Sequence, residues 1–158
     1  MAWVELTWHD LHHRELSARV LYDVLALRNR VFVVEQQCAY LDLDGLDLAG
    51  DNRHLLARSG EYTVGYARLL APEAAGPARI GRVIIGEQAR GRQLGRRLME
   101  QALSSCRRHW PRHQVELAAQ AHLQGFYASL GFVAVGAVYD EDGILHRDMR
   151  LAGAPGSS

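Results

Sequence analysis

The chain has 158 residues, 18 basic against 18 acidic side chains, and 48% hydrophobic residues, a size and composition that suit one soluble domain around one core. A formal net charge of zero argues against a purely electrostatic hold on nucleic acid or an anionic membrane, so neither is an expected partner. Two cysteines without CxxC spacing (Cys38 and Cys106), no signal-peptide pattern and no apolar run of membrane length point to a cytoplasmic protein with reduced thiols.

The first candidate strand is Trp3 to His9, which alternates weakly. A helix follows, with Leu16, Val20, Val24 and Leu27 at helical spacing; its continuation VFVVEQ reads equally as helix or strand. CAYLDLDGLDLAGDN is rich in Asp and Gly and reads as a loop. RHLLARS and EYTVGYARLLA form a hairpin joined at Ser59-Gly60, and ARIGRVIIG is the next strand. A helix then carries Leu94, Leu98, Ala102 and Cys106 on one face and ends before Pro111; Cys106 reads as a buried, inert thiol. QVELAAQ is a strand, and HLQGFYASLG a short helix stopped by Gly131. FVAVGAVYDEDGILHRDMRL is a hairpin turning on Asp142-Gly143, and residues 152–158 form a small, polar tail expected to be disordered. Residues 1–151 therefore make one domain, a mixed sheet with helices on its faces.

Chemistry concentrates in RGRQLGRR, Arg90 to Arg97, between the strand RIGRVIIG and the helix. A helix start presents unpaired N–H groups and a partial positive charge, and glycines let backbone approach an anion. Arg90, Arg92, Arg96 and Arg97 add guanidinium groups that fork onto phosphate. From this stretch alone, a diphosphate site and a solvated basic helix start both stand. The P-loop and dinucleotide patterns are absent.

Arg90-Gly91-Arg92-Gln93-Leu94-Gly95 resembles the (Q/R)xxGx(G/A) pyrophosphate loop of the GNAT superfamily of N-acetyltransferases, with Gln93 where the family usually has glycine. FYASLGF is similar to the family's tyrosine-bearing segment. LALRNRVFVVEQ, GDNRHLLA, IGRVII and AQAHLQGFY together resemble the ElaA-like subfamily over nearly the whole chain. The resemblance implies an α/β (α+β) fold: a mixed, mostly antiparallel sheet of about six or seven strands, helices on both faces, splayed between strands four and five. It implies an acetyl-CoA-dependent enzyme that acetylates a primary amine of a small molecule or peptide by direct attack in a ternary complex. A CoA-binding module without turnover and an acyltransferase for longer chains are the alternatives, and a homodimer stays open.

On these residues the resemblance implies that CoA is held by Arg90, Gly91, Arg92, Gln93, Leu94, Gly95 and Arg96, with the Val83 and Ile85 backbones pairing the pantetheine arm. Gln120 stands where an asparagine often holds CoA. Tyr127 is placed to protonate the leaving thiolate; its alternative is a packed ring. The base is open between His122, Glu35 and His54, the last more often a satisfied structural histidine. The acidic stretch Asp42 to Asp47 fails the calcium-loop pattern and either attracts a cationic acceptor or is solvated. His9, His12 and His13 lack companion ligands, so no metal is expected.

Overall fold

The protein is described from a computed structural model, over residues 5–153. The start of the first expected strand, at Trp3, and residues 154–158 of the expected tail lie outside the described residues.

Among the described residues eleven regular elements follow the expected order as far as the last hairpin, where three strands stand in place of the two expected. They are β1 (Leu6–His12), α1 (Ala18–Arg28), β2 (Arg53–Ser59), β3 (Tyr62–Leu70), β4 (Ala78–Ile85), α2 (Leu94–His109), β5 (Val115–Gln120), α3 (Gln124–Ser129), β6 (Phe132–Ala134), β7 (Tyr139–Glu141) and β8 (Ile144–Leu151). All eight strands form one sheet in the order β1-β2-β3-β4-β5-β8-β6, with β7 also on β8. Every pairing is antiparallel except β4 with β5. The final hairpin is thus split. The single long strand β8 faces two short ones, and Gly136, at φ 79°, lies between them.

Local chemistry accounts for the boundaries. The Ser17 hydroxyl accepts from Val20 N–H at 3.1 Å and caps α1. The ambiguous VFVVEQ is helical and not a strand: most of it lies in Asn29–Glu35, a π-helical continuation of α1, closed by bonds from Gln36 N to Val31 O and from Cys38 N to Val33 O. The first hairpin turns on Gly60 and Glu61, one residue later than expected, because Ser59 still pairs with Tyr62. The last turn sits where expected: Asp142 and Gly143 both have positive φ, as a two-residue hairpin loop of matching twist requires.

The sheet is covered unevenly. Against one face α2 packs Leu98, Met99, Ala102, Leu103 and Cys106 onto Leu69, Ile80, Val115, Leu117 and Met149. Against the other, α1 packs Val24 and Leu27, with Val31 beyond it, on Leu56, Tyr66 and Ile84 of strands β2 to β4. Among the described residues no α-helix covers β5 and β8 on that second face. Strand periodicity puts Ala118 and Gln120 of β5, and their β8 partners Asp148 and His146, on this uncovered face.

Two irregularities open the middle of the sheet. The parallel β4–β5 ladder holds only Ala78, Ile80 and the residue between them against Val115 to Leu117, so Gly81 to Ile85 diverge from β5. Within that stretch Arg82 takes φ 51°, and Arg82 and Val83 together oppose Ala67, a β-bulge that re-aims the strand's polar groups.

Candidate active site

A cavity of about 330 Å³ lies at the start of α2, lined by Ile85, Arg90, Gly91, Gln93, Gly95 and Arg96 among others. No side chain caps this helix, and its first turn holds no acidic residue, so the orphan N–H groups and positive dipole end stay available. Gln93 takes the left-handed conformation, φ 53° and ψ 23°, keeping the turn that the family usually builds with glycine. A Cβ added at Gly95 would meet only Phe126 at 3.8 Å and Ile85 at 3.9 Å, ordinary contacts. The protein itself therefore leaves room for a side chain at Gly95. Its absence keeps the cavity open to a ligand at the helix start, and the site fits a diphosphate.

The arginines of this loop are not equivalent. Arg90 donates from Nη1 and Nη2 to the Glu35 carboxylate, at 2.5 and 3.1 Å, and from Nε to the Ile85 carbonyl at 3.0 Å. Arg96 donates to the Ser129 hydroxyl at 2.6 Å and ties α2 to α3 while lining the cavity. Arg97 lies over the Trp8 ring at 5.6 Å, a packing role. Arg92 is exposed and lines neither cavity.

A larger cavity of about 750 Å³ fills the uncovered face, roofed by the segment from Phe32 to Leu46. It reaches Val83, Gln120, Tyr127 and His146. Tyr127 belongs to the α2 side of the sheet, its ring edge-on to Phe126 and Phe132, and it reaches this cavity where β4 and β5 have parted. Its hydroxyl makes no hydrogen bond among the described residues, and burial raises its pKa to about 12, so it holds its proton at neutral pH.

The acidic loop differs from expectation. Asp42 and Asp47 are buried rather than solvated, Asp44 stays partly exposed, and three arginines hold all three carboxylates. Arg28, fully buried, donates to Asp42 at 2.9 Å and to Asp47 at 2.5 Å; Arg68 donates to Asp44 and Asp47; Arg82, on the bulge, donates to Asp42 at 2.8 Å. Burial raises the Asp44 carboxyl, but Arg68 and the Leu46 N–H outweigh it and bring its pKa down to about 2. His54 completes the network. Its Nε2–H donates to the Asp47 carbonyl at 2.8 Å, leaving Nδ1 to accept from the Tyr66 hydroxyl. Burial lowers its pKa, so it is neutral and structural.

Of the three base candidates, none stands free in the larger cavity. His54 is consumed in this network. His122 is exposed just after β5 and lines neither cavity. Glu35 is held by Arg90, whose hydrogen bonds lower its pKa and keep it a weakly basic carboxylate. The histidine that does line the larger cavity is His146. The pattern Ile144, His146, Asp148 on one face of the last strand was its signal in the sequence, but only the uneven helix cover reveals that this face is open. Among the described residues no group of three His, Cys, Asp or Glu side chains is placed to hold a metal.

The family described as "Acetyltransferase (GNAT) domain" matches residues 25–152. The chain is 52% identical over 145 residues to Protein ElaA of Escherichia coli strain K12, covering 91% of this chain and 95% of that protein. The crystal structure of E. coli ElaA superimposes with a TM-score of 0.90 over 94% of this chain and 100% of the other. An acyl-CoA N-acyltransferase from Pseudomonas aeruginosa, 49% identical, gives a TM-score of 0.91 with the same coverage. A UPF0039 protein of Synechocystis is 39% identical over 148 residues, 92% of this chain and 95% of that one. With the sheet splayed at β4–β5 and the phosphate-shaped loop at the start of α2, these matches make the chain a member of the GNAT family, an N-acyltransferase related to ElaA.

Proposed function

We propose that the chain transfers an acetyl group from acetyl-CoA to a primary amine of a small molecule or peptide, by direct attack in a ternary complex. The observation that carries this reading is the pair of cavities bordered by the end of β4. Val83 lines the larger and Ile85 the smaller, so one ligand can run along the strand from the α2 helix start to the splay. Acetyl-CoA would supply the activated acyl group as a thioester.

The chain's own residues divide the work. The N–H groups at Leu94 to Arg96, with Arg96 beside them, bind diphosphate. The β4 backbone beyond Ile80 has lost its β5 partner and is free to pair with an extended arm as an added strand. A β4 N–H near the bulge then faces the thioester oxygen and stabilises charge that develops there. Gln120, at the end of β5, lines the other wall. Tyr127 donates to the departing sulfur. The burial that raises its pKa also raises the basicity of a thiolate in the same cavity, which keeps the transfer feasible. Cys38 also lines the cavity, but its Sγ–H is spent on the Asp142 carbonyl at 3.3 Å with no base bonded to it, which favours direct attack over an acyl-cysteine route.

Transfer of a longer acyl chain is the second reading, favoured by a volume of about 750 Å³, which falls within the range of sites for drug-sized ligands. Thioester consumption with a panel of amines, run with acetyl-CoA and with longer acyl-CoAs, tests both. Turnover that falls with chain length supports acetyl transfer, and turnover that rises supports the second reading. CoA binding without turnover of any thioester overturns both.

A further inference from the structure

We propose that His146 is the base that takes the proton from the acceptor amine, with the Glu141 carboxylate beside it to favour the cation. The proposal rests on the acyltransfer reading above and names a residue that the resemblance did not supply.

Three observations converge on this ring. His146 sits on β8 opposite Gln120, at the end of β5 and on the face that no helix covers, and its side chain is 14% exposed within the cavity that Tyr127 also lines. Its Nδ1 lies 2.8 Å from the Ile144 carbonyl. A carbonyl only accepts, so Nδ1 carries the hydrogen, and the neutral ring keeps its lone pair on Nε2. The Glu141 carboxylate lies 4.0 Å from the same Nδ1, and the Tyr139 ring stacks at 6.1 Å with an interplanar angle of 22°. The carbonyl fixes the tautomer, the Tyr139 ring flanks the imidazole, and the carboxylate, at ion-pair rather than hydrogen-bond distance, stabilises the imidazolium that forms.

The charged surroundings fit an amine that arrives as an ammonium. Glu141 and Asp142, at the turn between β7 and β8, both line the cavity. The arginines there are already engaged: Arg68 and Arg82 with the acidic loop, and Arg79 with Glu116. The other titratable groups around the ring and in the cavity are Tyr139, bonded to Asp148, and Cys38, Tyr40, Asp44 and Tyr127. None of these supplies a competing cation.

The protons balance. His146 Nε2 takes one proton from the ammonium, and the freed nitrogen attacks the thioester carbon. The C–N bond forms as the C–S bond breaks. Tyr127 gives its proton to the sulfur, and the second amine proton restores the phenol through water. His146 returns its proton to solvent, so one proton is released per turnover.

The test compares wild type, His146→Gln, His146→Ala and Glu141→Gln with acetyl-CoA and the best amine of the panel. His146→Gln is expected to lower kcat by roughly 10²-fold or more, with CoA affinity within about twofold. Its rate is expected to climb continuously with pH as solution deprotonates the amine, where wild type levels off. Added imidazole is expected to restore part of the His146→Ala rate. Glu141→Gln is expected to raise KM for the cationic amine several-fold, more than it lowers kcat. His146 variants within about threefold of a turning-over wild type, with an unchanged pH profile, overturn this proposal and leave the acyltransfer reading standing. A wild type that binds CoA and acylates no amine overturns the acyltransfer reading and this proposal with it.

Discussion

Arg90 grips Glu35 through Nη1 and Nη2 while its Nε donates to the Ile85 carbonyl, so one side chain joins the π-helical segment, the end of β4 and the phosphate-shaped loop. The pair is about two-fifths exposed, where water and salt screen an ion pair and leave it weak. A diphosphate bound at this loop would compete with Glu35 for Arg90. Glu35→Gln is expected to tighten CoA binding by up to about fivefold at low salt, with the gain shrinking as salt rises. Arg90→Ala is expected to weaken binding. Titration calorimetry at two ionic strengths checks both, and weaker CoA binding by Glu35→Gln would show that Arg90 keeps its partner in the complex.

Gln93 holds a left-handed backbone that glycine adopts without strain. Gln93→Gly is expected to stabilise the fold by about 1 kcal/mol, a rise in Tm of roughly 2–4 °C. Thermal unfolding measures it, and a lower Tm would mean that the Gln93 side chain contributes more than its backbone costs.

Arg28 is the centre of the clamp that fixes the cavity's roof. Arg28→Met takes the fully buried cation away from Asp42 and Asp47, which keep Arg82 and Arg68 as their remaining cations, and losing one partner of a buried pair costs at most roughly 3–5 kcal/mol. The expected result is a Tm lower by about 10 °C. The acid dependence follows from the carboxylates. Asp44 titrates near 2 when folded against an ordinary 3.8, so its contribution is complete above about pH 4 and is lost as pH falls towards 2. Asp44→Asn is expected to flatten stability over that window. An unchanged acid limb would contradict the clamp.

Local patterns carried much of the fold. Periodicity placed α2, the Asp142-Gly143 turn and the order of strands, because each depends on near neighbours. The resemblance of RGRQLG pointed to Gly95, and that of FYASLGF to Tyr127. Two features were illegible for the same physical reason, sequence distance. Arg28 finds Asp47 19 residues away and Arg82 finds Asp42 40 away, so the acidic stretch looked solvated when read alone. His146 looked like an ordinary strand residue because nothing local states that α1 stops short of β8. The π-helical turn at Asn29–Glu35 was hidden by VFVV, a run whose β-branched residues suit either conformation.

Tyr127 separates chemistry from packing because its hydroxyl has no partner among the described residues. Tyr127→Phe keeps both edge-on ring contacts, so Tm and CoA affinity are expected to hold within about 1 °C and a few-fold. Loss of the acid is expected to lower kcat and kcat/KM together by roughly 10²-fold. Near-normal turnover by a stably folded variant would assign protonation of the sulfur to water or another group.

The central claim is that the start of α2 is built for the diphosphate of CoA, and the melting temperature of wild type and Gly95→Glu, each with and without millimolar CoA, tests it most directly. A Cβ at Gly95 meets only ordinary contacts, so the variant is expected to fold with a Tm near that of wild type while filling the cavity with a side chain and a negative charge. At about 100 times its Kd, CoA adds roughly 2.7 kcal/mol, a rise of about 5–10 °C for wild type, and the variant is expected to show none. No shift in wild type, or an equal shift in Gly95→Glu, would contradict the account.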